Sequence, residues 1–240
     1  MPVQREKTLE ILSRLAQTRL GRLLVLAGSS GLHAVSDQIP ALTEDVDLLV
    51  DADWVATHET ELLADMRQAG FTHLEGTCTL TLDDGSSVDL VGFSRTNRDE
   101  HIGGSGRVPV MVFADLSTIM TRTIPIEVPS GGLALSASAL VVAKLLTIRQ
   151  EKGSKDKLQA LLLIDENRDD EDFLAEIGRL LADFEPDRVE DALADAQAAT
   201  LSISTDLDVS NPQTAGYARM QAAVARGFEV LERLLREPHR

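Results

Sequence analysis

Cysteine is all but missing from this 240-residue chain. Cys78 stands alone, which excludes an intrachain disulfide and removes any reason to expect an oxidising compartment; it reads as a small buried residue of a strand. Long apolar runs are missing too. The longest, such as Ala139–Ala143 and Ala160–Ile164, fall far short of the ~20 residues that span a bilayer. The polar stretch Met1–Lys7 leads into an amphipathic segment rather than a secretory leader. A cytoplasmic protein with no membrane partner is expected. Basic residues are scarce: 23 Lys and Arg against 39 Asp and Glu give a formal charge of −16. That balance repels nucleic acid unless cations gather locally, so a general DNA-coating role is excluded. The excess acid is spread along the chain and otherwise reads as solvated surface. The histidines, His33, His58, His73, His101 and His239, show no ligand spacing with one another or with Cys78, which argues against zinc. There is no fixed-period repeat and no long low-complexity tract.

What remains is an ordinary globular composition, 43% hydrophobic and 26% charged, enough to bury a core over this length. One mixed α/β core with an extension is expected. Leu9, Leu12, Leu15 and Ala16 recur at helical spacing between Arg5 and Leu20. Leu23–Leu26 reads as a short strand that halts at Ala27-Gly28-Ser29-Ser30-Gly31, a tight turn opening a short helix through His33. Val46–Val50 is a second strand, and a helix follows from about Trp54 to Gln68, closed by Gly70. Thr77–Leu82 and Ser87–Phe93 flank the turn Asp83-Asp84-Gly85-Ser86 as an antiparallel hairpin. The polar, glycine-rich stretch Ser94–Arg107 predicts a mobile loop, with further strands at Val108–Phe113 and Ile124–Val128. Beyond about residue 130 the pattern turns helical: Ser138–Glu151, Lys155–Asp165, Asp170–Phe184, Pro186–Ala199 and a last helix after Asn211-Pro212 with Val224, Phe228, Leu231 and Leu235 as its stripe.

The chemistry concentrates in two stretches. Strand alternation puts Asp45 and Asp47 on one face, and two ionised carboxylates a few ångströms apart repel unless a cation such as Mg²⁺ bridges them. Asp89 lies inside the apolar run Val88–Val91, where an acid needs a partner. A third carboxylate beside the first two would complete a two-metal site, and Asp89 is also a candidate general base for an attacking hydroxyl. The turn Gly28-Ser29-Ser30 brings backbone N–H groups and hydroxyls close to phosphate oxygens at a helix N-terminus. No Gly-Lys-Ser/Thr follows it, so it is not a P-loop.

Gly28-Ser29, Asp45-Val46-Asp47 and Asp89 together resemble the three acid-bearing motifs of the polymerase-β nucleotidyltransferase superfamily. More narrowly, Leu26-Ala27-Gly28-Ser29-Ser30-Gly31-Leu32 followed by Thr43-Glu44-Asp45-Val46-Asp47-Leu48 is similar to the AbiEii/AbiGii-type toxin nucleotidyltransferases, which often read Gly-Gly-Thr and Ser-Glu-Asp-Leu-Asp there. The resemblance implies an α/β (α+β) nucleotidyltransferase core, a mixed sheet flanked by helices, over residues 1–130, and a C-terminal helical region over 131–240. It implies Mg²⁺ or Mn²⁺ at Asp45, Asp47 and Asp89, an NTP substrate and a pyrophosphate product. It also implies nucleotide contacts from Gly28, Ser29 and Ser30, and from Lys144, Lys155 and Asp156 in the helical region, with Asp156 assisting at the site or bracing it and Arg149 structural. This chain departs from the family at Gln159, where a second acid is frequent, and at Ser29, where a glycine is frequent. The acceptor would be RNA, such as the 3′ end of a tRNA, and a cognate antitoxin would be a partner. Lys144, Arg149, Lys152, Lys155 and Lys157 are close enough in sequence to form a basic patch for RNA. Two alternatives stay open: a small-molecule adenylyltransferase whose acidic cleft captures a cationic acceptor, and a silent nucleotide-binding protein that keeps the fold.

Overall fold

Alternating burial along the strands organises the first part of the chain. The computed structural model describes residues 5–39, 45–146, 153–201, 203 and 215–236. Thr43 and Glu44 of the acidic motif, Arg149, Lys152 and Asn211-Pro212 lie outside the described residues. The chain separates into two compact units, one of residues 1–35 and 41–136 and one of 36–40 and 137–240.

The first unit is a mixed α/β structure. Its elements are α1 (Arg5–Ala16), a 3-10 turn (Arg19–Arg22), β1 (Val25–Leu26), α2 (Gly28–Val35), β2 (Asp45–Asp51), α3 (Ala52–Gln68), β3 (Thr72–His73), β4 (Thr79–Thr81), β5 (Ser87–Phe93), β6 (His101–Gly104), β7 (Pro109–Val112), α4 (Ala114–Arg122), β8 (Ile126–Glu127) and β9 (Leu133–Ala134). The sheet runs β3-β4-β5-β2-β1-β9-β8, with β7 paired to β5 and β6 paired to β7. β2 lies antiparallel to β1 and parallel to β5. Val46, Leu48 and Val50 of β2 and Val88 and Leu90 of β5 turn into a core shared with Ile11, Leu12 and Leu15 of α1 and Val55, Leu62 and Met66 of α3. The buried stripe of α1 is Thr8, Ile11, Leu12 and Leu15, with Leu9 half-buried and Ala16 exposed.

The expected mobile loop of residues 94–107 instead contains a strand. β6 pairs antiparallel with β7, Ile102 opposite Met111. Its glycines permit close packing rather than looseness: a Cβ on Gly103 would stand 2.9 Å from the Cβ of Ala52 at the start of α3.

The second unit is helical: α5 (Ala137–Leu146), α6 (Gly153–Glu166), α7 (Glu171–Leu181), α8 (Pro186–Ala199) and α9 (Ala215–Arg236). Asp170 caps α7 by accepting from the Phe173 N–H, and Pro186 opens α8 in the first turn. α6 is the hub, packing against α5, α8 and α9. No helix among the described residues is long and apolar enough to cross a membrane.

Two contacts dock α9. Gly227 lies so close to α6 that a Cβ there would fall 2.0 Å from the Leu161 carbonyl oxygen. Nearby, the Asp165 carboxylate accepts from Arg226 Nε and Nη2, each at 2.8 Å, and from Arg168 Nη1 at 3.1 Å. Burial pushes the Asp165 carboxyl up, but the two guanidiniums, Arg226 foremost, outweigh it and hold the pKa below the usual carboxylate range.

Gly227→Ala is therefore expected to destabilise the chain by about 1–3 kcal/mol through overpacking, although the same change in a free helix stabilises by about 1 kcal/mol. Urea unfolding gives the sign, and hydrogen exchange over 215–236 locates the loss. Asp165→Asn is expected to lower the urea midpoint at neutral pH. Because the folded-state pKa of Asp165 is depressed, its contribution is full above the unfolded-state value and disappears as pH falls through the folded one. The gap between variant and wild type should close over that acid range.

Candidate functional site

β1 ends at Leu26, and the chain turns through Ala27 into α2. The turn is bonded to the neighbouring strand: the Ala27 N–H donates to the Asp47 carbonyl at 3.0 Å. Ser30 is fully buried, and its hydroxyl donates to the Ala27 carbonyl at 2.9 Å and accepts from the Asp47 N–H at 3.2 Å. Ser30 thus ties the glycine turn to the strand that carries the acids. Ser29 is half-buried beside it.

Gly28 has φ +60°, and a Cβ there would lie 1.8 Å from Oδ2 of Asp47. Glycine is required twice over, by the left-handed backbone and by the carboxylate that occupies the side-chain space.

The acids are arranged by strand register. Parallel pairing sets Asp45 opposite Ser87 and Asp47 opposite Asp89, so Asp47 and Asp89 are cross-strand neighbours about 5 Å apart at the backbone, and Asp45 stands about 7 Å along the same face. All three are half-buried, while Val46, Leu48, Val88 and Leu90 on the opposite face are buried. On the far side of β5, Thr79 of β4 pairs with Asp89, and its hydroxyl donates to Asp89 Oδ1 at 2.6 Å.

Among the described residues no three His, Cys, Asp or Glu side chains converge tightly enough to cage a metal ion. The donor chemistry nonetheless fits a hard divalent cation: carboxylates on adjacent strands, a third one pleat away, and a side-chain space at Gly28 left open for one of them. Asp45, Asp47 and Asp89 are the residues that would hold it.

Lys144, Lys155 and Asp156 belong to the second unit. Lys144 is 3% exposed, and its ammonium donates to Asp156 Oδ1 at 2.7 Å and to Gln159 Oε1 at 2.8 Å. Lys155 is half-buried in the first turn of α6. Lys157 is 2% exposed and donates to the carbonyls of Lys144 at 3.3 Å and Leu145 at 2.5 Å. Two of the five cations expected on a surface patch are therefore interior. A long stem inside the apolar run of α6 does not reach water when carbonyls and a carboxylate lie within its reach.

Three roles escaped the sequence: the Ser30 tie, the Thr79 bond to Asp89, and the bonds of Lys157 to the α5 carbonyls. Only the second left a signal. The Asp83–Ser86 turn fixes hairpin pairing such that Leu80 faces Val88 and Thr79 faces Asp89.

No protein-family model and no curated protein matches the chain.

Gly28→Ala should displace the Asp47 carboxylate. The left-handed backbone alone costs about 1–2 kcal/mol, which urea unfolding would detect, and a Mn²⁺ titration should show affinity lost together with stability. Retained Mn²⁺ affinity in the variant would show that Asp47 takes no part in cation binding.

Proposed function

We propose that this chain is a Mg²⁺- or Mn²⁺-dependent nucleotidyltransferase that moves an NMP from an NTP to a hydroxyl acceptor. One observation carries the reading: the parallel register that sets Asp47 beside Asp89, with the open side-chain space of Gly28 against Asp47. The motif resemblance at Gly28-Ser29, Asp45-Val46-Asp47 and Asp89 supports the same conclusion.

In this reading the acceptor oxygen attacks the α-phosphorus, the bond from that phosphorus to the bridging oxygen breaks, and pyrophosphate leaves. The hydroxyl proton passes to Asp89, a step for which a positioned base contributes about 10²–10⁴-fold. Ser29 and the backbone N–H groups after Gly28 receive the phosphate oxygens at the start of α2. A divalent cation bound at the acids supplies charge neutralisation for the triphosphate. Asp45 and Asp47 would hold it, with Asp89 beside them.

The acceptor is an RNA end if the toxin resemblance holds, with a cognate antitoxin as partner. A second reading, transfer to a small cationic hydroxyl compound, is favoured by the net charge of −16, which attracts a cation, and by the interior ammonium groups of Lys144 and Lys157, which are withheld from a polyanion.

The test incubates the protein with Mg²⁺ and each α-labelled NTP, with total tRNA or with a polyamino sugar as acceptor. Label transfer is expected with the wild type and is expected to fall at least about 100-fold in Asp89→Asn, with Asp45→Asn and Asp47→Asn also inactive. Label on the amino sugar and none on tRNA selects the second reading. Nucleotide binding that needs neither metal nor the acids would reject transfer and leave a binding module.

A further inference from the structure

We infer that Thr79 is a positioning residue that sets the orientation of the Asp89 carboxylate, an inference that rests on the nucleotidyltransferase reading. Asp89 has two rotatable side-chain bonds and sits half-buried in the middle of the acid-bearing face. Left to repulsion from Asp47, its carboxylate would swing away. Thr79 stands directly opposite on β4, on the side of β5 away from Asp47. Its hydroxyl engages Oδ1 at 2.6 Å, inside the short range of charge-assisted O–H···O⁻ bonds.

The donor is itself well held. Thr79 is β-branched in a strand and so restricted about its first side-chain torsion. Its N–H donates to the Thr77 hydroxyl at 3.4 Å, and that hydroxyl donates to the Leu74 carbonyl at 2.7 Å. The next residue along is also fixed, because the Leu90 N–H donates to the Cys78 carbonyl at 2.9 Å. Among the described residues, Thr79 is the side chain to which Asp89 bonds. One oxygen of Asp89 is therefore pinned by a neutral donor that takes no proton away, and the other is left for the reaction.

Threonine also suits a strand for its shape alone, so the test must separate hydroxyl from bulk. Thr79→Val keeps the shape and removes the donor; Thr79→Ser keeps the donor and removes a methyl. Mn²⁺ binding, followed by the electron paramagnetic resonance signal of the free ion, and kcat and KM for the NTP are compared among wild type, the two variants and Asp89→Asn. Thr79→Val should bind Mn²⁺ about 10- to 100-fold more weakly and lose a similar factor in kcat, with KM for the NTP and the urea midpoint unchanged. Thr79→Ser should restore both. If Thr79→Val matches wild type in Mn²⁺ affinity and kcat while Asp89→Asn is defective, the positioning role is overturned and the nucleotidyltransferase reading survives. If wild type and Asp89→Asn are equally unable to bind Mn²⁺ or transfer label, that reading falls and this inference with it. Should Thr79→Val not fold, Thr79→Ala removes the same hydroxyl with less bulk and is held to the same outcomes.

Discussion

The pairing of β2 with β5 determines where each acid of the first unit stands. Side chains alternate along a strand, so a slip of one residue would drive Asp47 or Asp89 into the core and expose the aliphatic residues between them. Five of those aliphatics, Val46, Leu48, Val50, Val88 and Leu90, are at most 2% exposed. At about 1.5–3 kcal/mol each, their burial is worth roughly 10 kcal/mol. Two ionised carboxylates at that backbone spacing of about 5 Å would repel by about 3 kcal/mol at an effective dielectric of about 20. Burial outweighs that cost, so the core fixes the register that sets Asp47 beside Asp89.

The second unit solves the opposite problem, cations in an apolar helix pair. A buried ammonium costs several kcal/mol unless it is paired and hydrogen-bonded. Lys144 has Asp156 for charge and Gln159 for a further acceptor. An acid in place of Gln159 would set two carboxylates against that ammonium; the neutral amide adds a hydrogen bond without a second negative charge. Lys157 uses the backbone carbonyls of Lys144 and Leu145 instead. These lysines order α5 against α6 through polar contacts, while Gly227 lets α9 approach the opposite partner through the absence of a side chain. The same helix, α6, is held to α5 by the lysines and to α9 by close packing at Gly227 together with the Asp165–Arg226 pair.

How much of this the sequence disclosed follows from which signals are periodic. The apolar alternation at residues 46–50 and 88–91 located both acid-bearing strands and the face that each acid takes. The Asp83–Ser86 turn located the hairpin, and its register followed from loop length. β6 was hidden because Gly103 and Gly104 carry a loop composition, and their packing role depends on Ala52 and Val55 of α3, far earlier in the sequence. α4 was missed because it has no side-chain cap: Phe113 precedes it and offers no acceptor. β3 and β9 are two residues each, too short for any period, whereas the equally short β8 lies within the strand expected at Ile124–Val128. Lysine burial was illegible for a different reason. A lysine among leucines ordinarily snorkels, and only the partners supplied by a second helix, Asp156 and Gln159 for Lys144, make the interior position tenable.

The charge of −16 bears differently on donor and acceptor in the proposed reaction. Screening limits each surface charge to about 8 Å at physiological ionic strength, so a nucleoside triphosphate seated at the start of α2 is governed by the groups within that distance: backbone N–H donors, Ser29 and whatever neutralises Asp47 and Asp89. A polynucleotide acceptor extends over many screening lengths and meets the field of the whole surface. A compact cationic acceptor meets the same field with the opposite sign, and attraction raises its local concentration near the acids. Net charge therefore leaves the donor nearly untouched and discriminates among acceptors. With Lys144 and Lys157 interior, two of the five cations that the lysine spacing suggested for an RNA are withheld from it, and the small cation is the acceptor that the net charge favours.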